Sequence, residues 1–152
     1  METTENEVKR VRRELSRLDP WSFWVVREPI RGSDLSVVGT TGAFAIATCA
    51  LDGYVKATPM RFVVGGRPVG GLRRLRAAAR TMRNRLLASS FDVRVEPIVC
   101  FTRAFPAPGT TVRGVRAVNV ERIVEDIADR TRIVDAKRAE RVAAKLRSGG
   151  RP

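Results

Sequence analysis

The chain has 152 residues and is 43% hydrophobic, enough for one domain with a single core and too apolar for a disordered segment. Lys and Arg number 29 against 16 Asp and Glu, a net charge of +13, and there is no His, which excludes His-based acid–base catalysis and His metal ligation. Cys49 and Cys100 provide neither a disulfide framework nor a zinc site.

Residues 3–18 read as a helix, because Val8, Val11, Leu15 and Leu18 recur every three or four positions and form one apolar stripe. Thr3 or Thr4 would cap it, Glu5 and Glu7 suit its first turn, and Asp19-Pro20 ends it. Trp21–Glu28 is aromatic and β-branched and reads as a strand, with Trp21 and Trp24 as core residues or, alternatively, as stacking platforms. Leu35–Val38 and Ala43–Cys49 form a hairpin around Gly39-Thr40-Thr41-Gly42, and the second strand is apolar on both faces, as a central buried strand is. Tyr54–Val64 reads as a further strand broken by Pro59, and Gly65–Gly71 as a glycine-rich loop lacking the Lys-Ser/Thr pair of a phosphate-binding loop. Leu72–Leu87 is a strong helix with Leu72, Leu75, Ala79, Met82 and Leu86 on one face and Arg73, Arg76, Arg80 and Arg83 on the next. Val93–Phe101 is a strand, Thr102–Val112 a loop and Gly114–Val118 a last short strand; Asn119 caps a helix over 120–129, and a final helix covers about 133–146. The order predicts α/β (α+β) architecture with a single mixed sheet flanked by helices, in one domain over 1–152 with 131–148 as a C-terminal helical extension.

The positive charge is mostly Arg, with Lys only at 9, 56, 137 and 145. Arg suits bidentate phosphate contact, so a polyanion, nucleic acid first, is one reading of the charge. The other is a coding bias that raises Arg and Ala throughout. No apolar run approaches the ~20 residues of a membrane span, and METTENEVKR is charged where a signal peptide would be apolar. A cytoplasmic protein without membrane contact is expected.

Three stretches carry a family resemblance. SDLSVVGTTGAFAI resembles a pattern of Asp, apolar residues, a Gly-rich turn and a β-branched strand; the Arg- and Ala-rich helix 72–87 comes next; VEPIVCF and RGVRAVN close the set. In this order they resemble the nuclease-related domain family, and through it the PD-(D/E)xK nuclease-like superfamily. The resemblance covers nearly the whole chain and extends to the closing helix RIVDAKRAERVAAKL. It implies a restriction-endonuclease-like fold and a site where an Asp and an acid–spacer–Lys triplet hold Mg²⁺ and activate water.

Asp34 matches the first acid, but the triplet falls on Ala47-Thr48-Cys49. Alanine offers no metal oxygen, and a thiol is neither a cation nor a hard ligand. Glu7 lies one position out of register with the family's helical Glu, and Asp52 and Lys56 are the nearest residues that could compensate. The expectation is therefore a catalytically degenerate domain, a pseudoenzyme, acting as a basic nucleic-acid-binding or interaction module, with DNA ahead of RNA as partner. Its binding residues would be Arg73, Arg76, Arg80 and Arg83, with Lys56 and Arg61 as floor residues. Asp34 would be a residual catalytic and metal residue or a strand-start carboxylate. No cofactor is expected, and Mg²⁺ only if some cleavage remains. The alternatives are an active Mg²⁺-dependent endonuclease with relocated residues, and a protein–protein scaffold.

Overall fold

A computed structural model describes residues 5–26 and 30–149. Helix α1 (Glu5–Leu15) is followed by strands β1 (Phe23–Val26), β2 (Leu35–Gly39) and β3 (Gly42–Cys49). Next come β4 (Val55–Ala57), β5 (Phe62–Val64) and β6 (Arg67–Pro68), then α2 (Leu72–Ala88). The chain ends with β7 (Val95–Phe101), β8 (Thr111–Val112), β9 (Val115–Asn119), a single 3₁₀ turn at 120–122, α3 (Ile123–Ala128) and α4 (Ala136–Gly149).

A six-stranded mixed sheet in the order β1-β2-β3-β7-β9-β8 forms the centre, flanked by helices. β1, β2 and β3 form an antiparallel meander, β3, β7 and β9 run parallel, and β8 returns antiparallel to β9. Parallel pairing of β3 with β7 demands a long crossover, which the chain fills with β4–β6 and α2.

Side-chain alternation assigns each sheet face its own core. Ala43, Ala45, Ala47 and Cys49 of β3 point towards α2 and α4, where Leu75, Met82, Leu86, Val142 and Leu146 are buried. Phe44 and Ile46 point the other way, into a core with Val11 and Leu15 of α1 and Ile123 and Ile127 of α3. The small side chains on the first face give α2 a close seat on the sheet.

Several expectations change in the structure. Thr3 and Thr4 and the strand end Arg27–Glu28 lie outside the described residues, and α1 ends at Leu15. Trp24 is half-buried but Trp21 is 83% exposed, so Trp21 is not a core residue. It lies within the turn in which Asp19 accepts hydrogen bonds from the Trp21 N–H and the Ser22 hydroxyl. The segment 54–64 is broken at Pro59, as expected, but its two halves lie outside the main sheet. It folds with Arg67–Pro68 into a separate three-stranded sheet, because Thr58 and Arg61 exchange hydrogen bonds across Pro59 and close a turn there. Phe62 of this small sheet meets Phe101 edge to face at 6.2 Å and ties it to the main core. Thr111–Val112, expected in a loop, forms β8 through a tight turn at Arg113-Gly114. Asn119 does cap the helical turn after β9: its side chain accepts the Glu121 N–H at 2.8 Å.

Ala45 is fully buried on the face that seats α2. Replacing it with Leu overpacks that contact and is expected to cost about 1–3 kcal/mol, seen as a lowered Tm; an unchanged Tm would contradict the close seating of α2.

Candidate functional site

Two places bear on function: the cleft at Asp34 and the outer face of α2. Asp34 immediately precedes β2, and Leu35 pairs with Ile46, so Asp34 stands beside Ala47. The two share a cleft of about 330 Å³ with Gly32, Ser33, Gly70, Gly71 and Arg74. The first turn of α2 closes one side. A Cβ on Gly32, whose φ is +100°, would sit 2.4 Å from the Arg74 carbonyl oxygen, so only glycine admits this approach.

Within the cleft Asp34 has a structural task. Its Oδ2 accepts the Thr48 N–H at 2.8 Å and the Thr48 hydroxyl at 3.2 Å. The carboxylate thus provides an acceptor to β3 at the start of β2. The residues lining the cleft do not suit a divalent cation. Asp34 is their one carboxylate, Ala47 faces it with a methyl group, and the nearby Arg74 is itself a cation. Among the described residues no group of three or more His, Cys, Asp or Glu side chains is arranged to hold a metal. Burial pushes the Cys49 thiol up, so it stays neutral at neutral pH and supplies neither the positive charge of a Lys nor a thiolate. Asp52 and Lys56 lie beyond the cleft, Asp52 before the small sheet and Lys56 on its first strand.

The second place is α2, which carries Arg at 73, 74, 76, 80, 83 and 85 and no acidic residue. Its cap residue, Gly71, offers no side-chain acceptor. Arg73 and Arg74 in the first turn oppose the helix dipole, and like charges three and four apart repel by about 0.2–0.5 kcal/mol per pair. Arg76, Arg80 and Arg83 line one groove with Ala79, Val95, Pro97 and Arg113. Of these arginines only Arg83 is engaged among the described residues, donating to Asp92 Oδ1 and the Val93 carbonyl, each at 3.0 Å. Arg73 is exposed on the same helix beyond the groove lining. Lys56 and Arg61 are exposed on and beside the small sheet and line neither the groove nor the cleft. The cations of α1 are on the opposite sheet face, where Arg10 donates to the Thr102 carbonyl at 2.7 Å.

A further charged group is assembled from distant segments. Arg116 of β9 donates to Glu96 and to Asp126, each at 3.2 Å. Arg130, just after α3, bonds Glu96 and, at 3.0 Å, Asp126, and its guanidinium lies 5.0 Å from the centre of the Phe44 ring. Two cations and two anions thereby tie β3, β7, β9 and α3 together with no net charge. Burial raises the Asp126 carboxyl despite the attraction and hydrogen bond of Arg116, and burial, with Arg94 nearby, lowers Arg130. Their members come from distant segments, and only Glu96 and Arg116, which interrupt apolar strands, could have hinted at them.

Comparison with protein-family models, with curated proteins and with solved structures finds no match for this chain. Among the described residues no helix is long and apolar enough to cross a membrane.

If Asp34 serves as an acceptor for β3, Asp34→Ala lowers stability by about 1 kcal/mol in denaturant melts while Asp34→Asn, which keeps an acceptor oxygen, loses less. Equal losses would contradict that role. The raised Asp126 carboxyl makes the folded chain the better proton binder above the ordinary value of 3.8. Its contribution to stability therefore falls as pH rises from there through the raised value. A Tm series against pH should show wild type losing ground relative to Asp126→Asn over that interval; a relative gain would contradict the assignment.

Proposed function

We propose that this chain is a nuclease-related domain that binds nucleic acid through α2 and does not cleave it. The observation that carries the reading is the helix itself. It has six arginines and no acid among 17 residues, and Arg73, Arg76 and Arg80 have no side-chain partner among the described residues. Such a helix works against its own stability through dipole and like-charge repulsion. A line of phosphates would relieve both, and each neutralised phosphate would release counterions. An ordinary solvated helix face needs no such concentration of one sign.

The absence of cleavage is a consequence of the cleft chemistry. The reaction of the superfamily that the sequence resembles needs a second carboxylate and a Lys beside Asp34. By the resemblance those positions fall on Ala47 and the neutral Cys49, of which only Ala47 lines the cleft, and Asp34 Oδ2 accepts two bonds from Thr48. DNA is the first partner on this reading, and a cytoplasmic location agrees with it.

Fluorescence anisotropy with a labelled DNA tests the proposal. The apparent Kd should rise by tenfold or more between about 50 and 200 mM salt if three or more phosphates are contacted. The double substitution Arg76→Glu/Arg80→Glu should abolish most of the binding, and plasmid should stay intact with Mg²⁺ or Mn²⁺. Salt-independent binding would contradict the phosphate reading. Metal-dependent nicking lost on Asp34→Ala would instead favour an active endonuclease.

A further inference from the structure

The groove beside α2 does not end at the helix. It adjoins a second open hollow, and the two share Val95, Pro97 and Gly114. The strand pairing accounts for this: β9 begins its contact with β7 only at Ile98, so residues 95–97 of β7 are uncovered on that side. The result is a continuous trough across the start of β7. Arg76, Arg80 and Arg83 stand on one wall, and Arg113 enters from the β8–β9 turn. Arg94 lies further along.

Arg113 is the informative residue. Val112 pairs with Val115, so Arg113-Gly114 is a two-residue hairpin turn, with φ of 52° and 81°. Positive φ at both positions is the type I′ geometry, whose first position favours Asn, Asp or Gly. Arginine holds a left-handed backbone there against its preference. Residues kept in such conformations point to function when the side chain has somewhere to act. Here the Arg113 side chain lines the groove and has no side-chain partner among the described residues.

We infer that the trough is the path of a single nucleic-acid strand, with Arg113 closing the wall opposite Arg76 and Arg80. The inference rests on the nucleic-acid reading above and adds the form of the ligand. A duplex is a rigid convex cylinder and would meet only the outer ridge of α2. A single strand can enter a concave groove whose arginines face inward from two elements. The floor is Ala79, Val95 and Pro97, with no aromatic platform. Recognition therefore runs through phosphates and tolerates any base, unlike sites that stack bases on aromatic rings. Two carboxylates lie along the trough. Glu96 is bound to Arg116 and Arg130, whereas Asp129 has no side-chain partner among the described residues and repels a phosphate at the far end.

The test measures anisotropy of a labelled oligo-dT strand, and of its duplex with oligo-dA, at matched salt. The strand should bind about tenfold tighter than the duplex. Arg113→Gly suits a positive φ and so leaves the fold intact. It should weaken strand binding by several-fold and lower the salt slope by about 0.7. Asp129→Asn should tighten strand binding, a gain that a merely structural role would not give. Duplex binding equal to or better than strand binding overturns the inference, as does a silent Arg113→Gly. If Arg76→Glu/Arg80→Glu still abolishes binding in that case, the α2 reading survives alone. No binding of strand or duplex removes both. A poly-glutamate peptide competing as well as oligo-dT overturns the nucleic-acid assignment in favour of an acidic protein partner.

Discussion

The parallel pairing of β3 with β7 is the constraint on which the other features depend. Two adjacent parallel strands at the centre of a sheet cannot be joined by a tight turn, and both of their faces must be covered. The crossover therefore has to carry a helix over one face, and α2 is that helix. Because Ala43, Ala45 and Ala47 present so little bulk, α2 lies close to the sheet and turns its remaining surface outward. Everything on that surface is arginine, threonine, asparagine or alanine apart from Leu87. The packing requirement thus fixes where the positive charge is displayed.

Charge is then divided into two populations. Arg116 and Arg130 are tied to Glu96 and Asp126 in a neutral, half-buried group that braces the strands against α3. Arg73, Arg76, Arg80 and Arg113 have no such counterions among the described residues. The first population is self-neutralised, whereas the second leaves positive charge open to a ligand along α2 and at the β8–β9 turn. At the first turn of α2 the Asp34 cleft holds a single carboxylate that serves the sheet. A carboxylate that accepts a backbone N–H and a hydroxyl contributes to the sheet whether or not a metal was ever its partner.

The main sheet is legible in the sequence because its signals are local. Two-residue alternation and β-branched runs identify β2, β3 and β7, and the three-to-four spacing of Leu72, Leu75, Met82 and Leu86 identifies α2. The arginine stripe comes with the same helix periodicity. The small sheet reads only as a strand broken by Pro59, because Pro59 and the Gly65-Gly66 turn divide runs too short to show alternation or pairing. β8 has two residues and exists only through its pairing with β9. The Glu96–Arg116–Asp126–Arg130 group and the place of Arg113 depend on contacts between segments far apart in sequence, which no local pattern encodes. Cys49 and Ala47 are legible as departures from a nuclease pattern; the engagement of Asp34 by Thr48 emerges only in three dimensions.

On the proposed function, phosphates contact the arginines that the fold leaves without counterions. This contact is tested most directly by following the arginine Nε–Hε resonances in NMR spectra during titration with an oligonucleotide. The signals of Arg76, Arg80 and Arg113 should shift, while those of Arg116 and Arg130, already bonded to carboxylates and, for Arg130, to a backbone carbonyl, should stay in place. Shifts confined to Arg61 or Arg74, or no shift in any arginine signal, would contradict it.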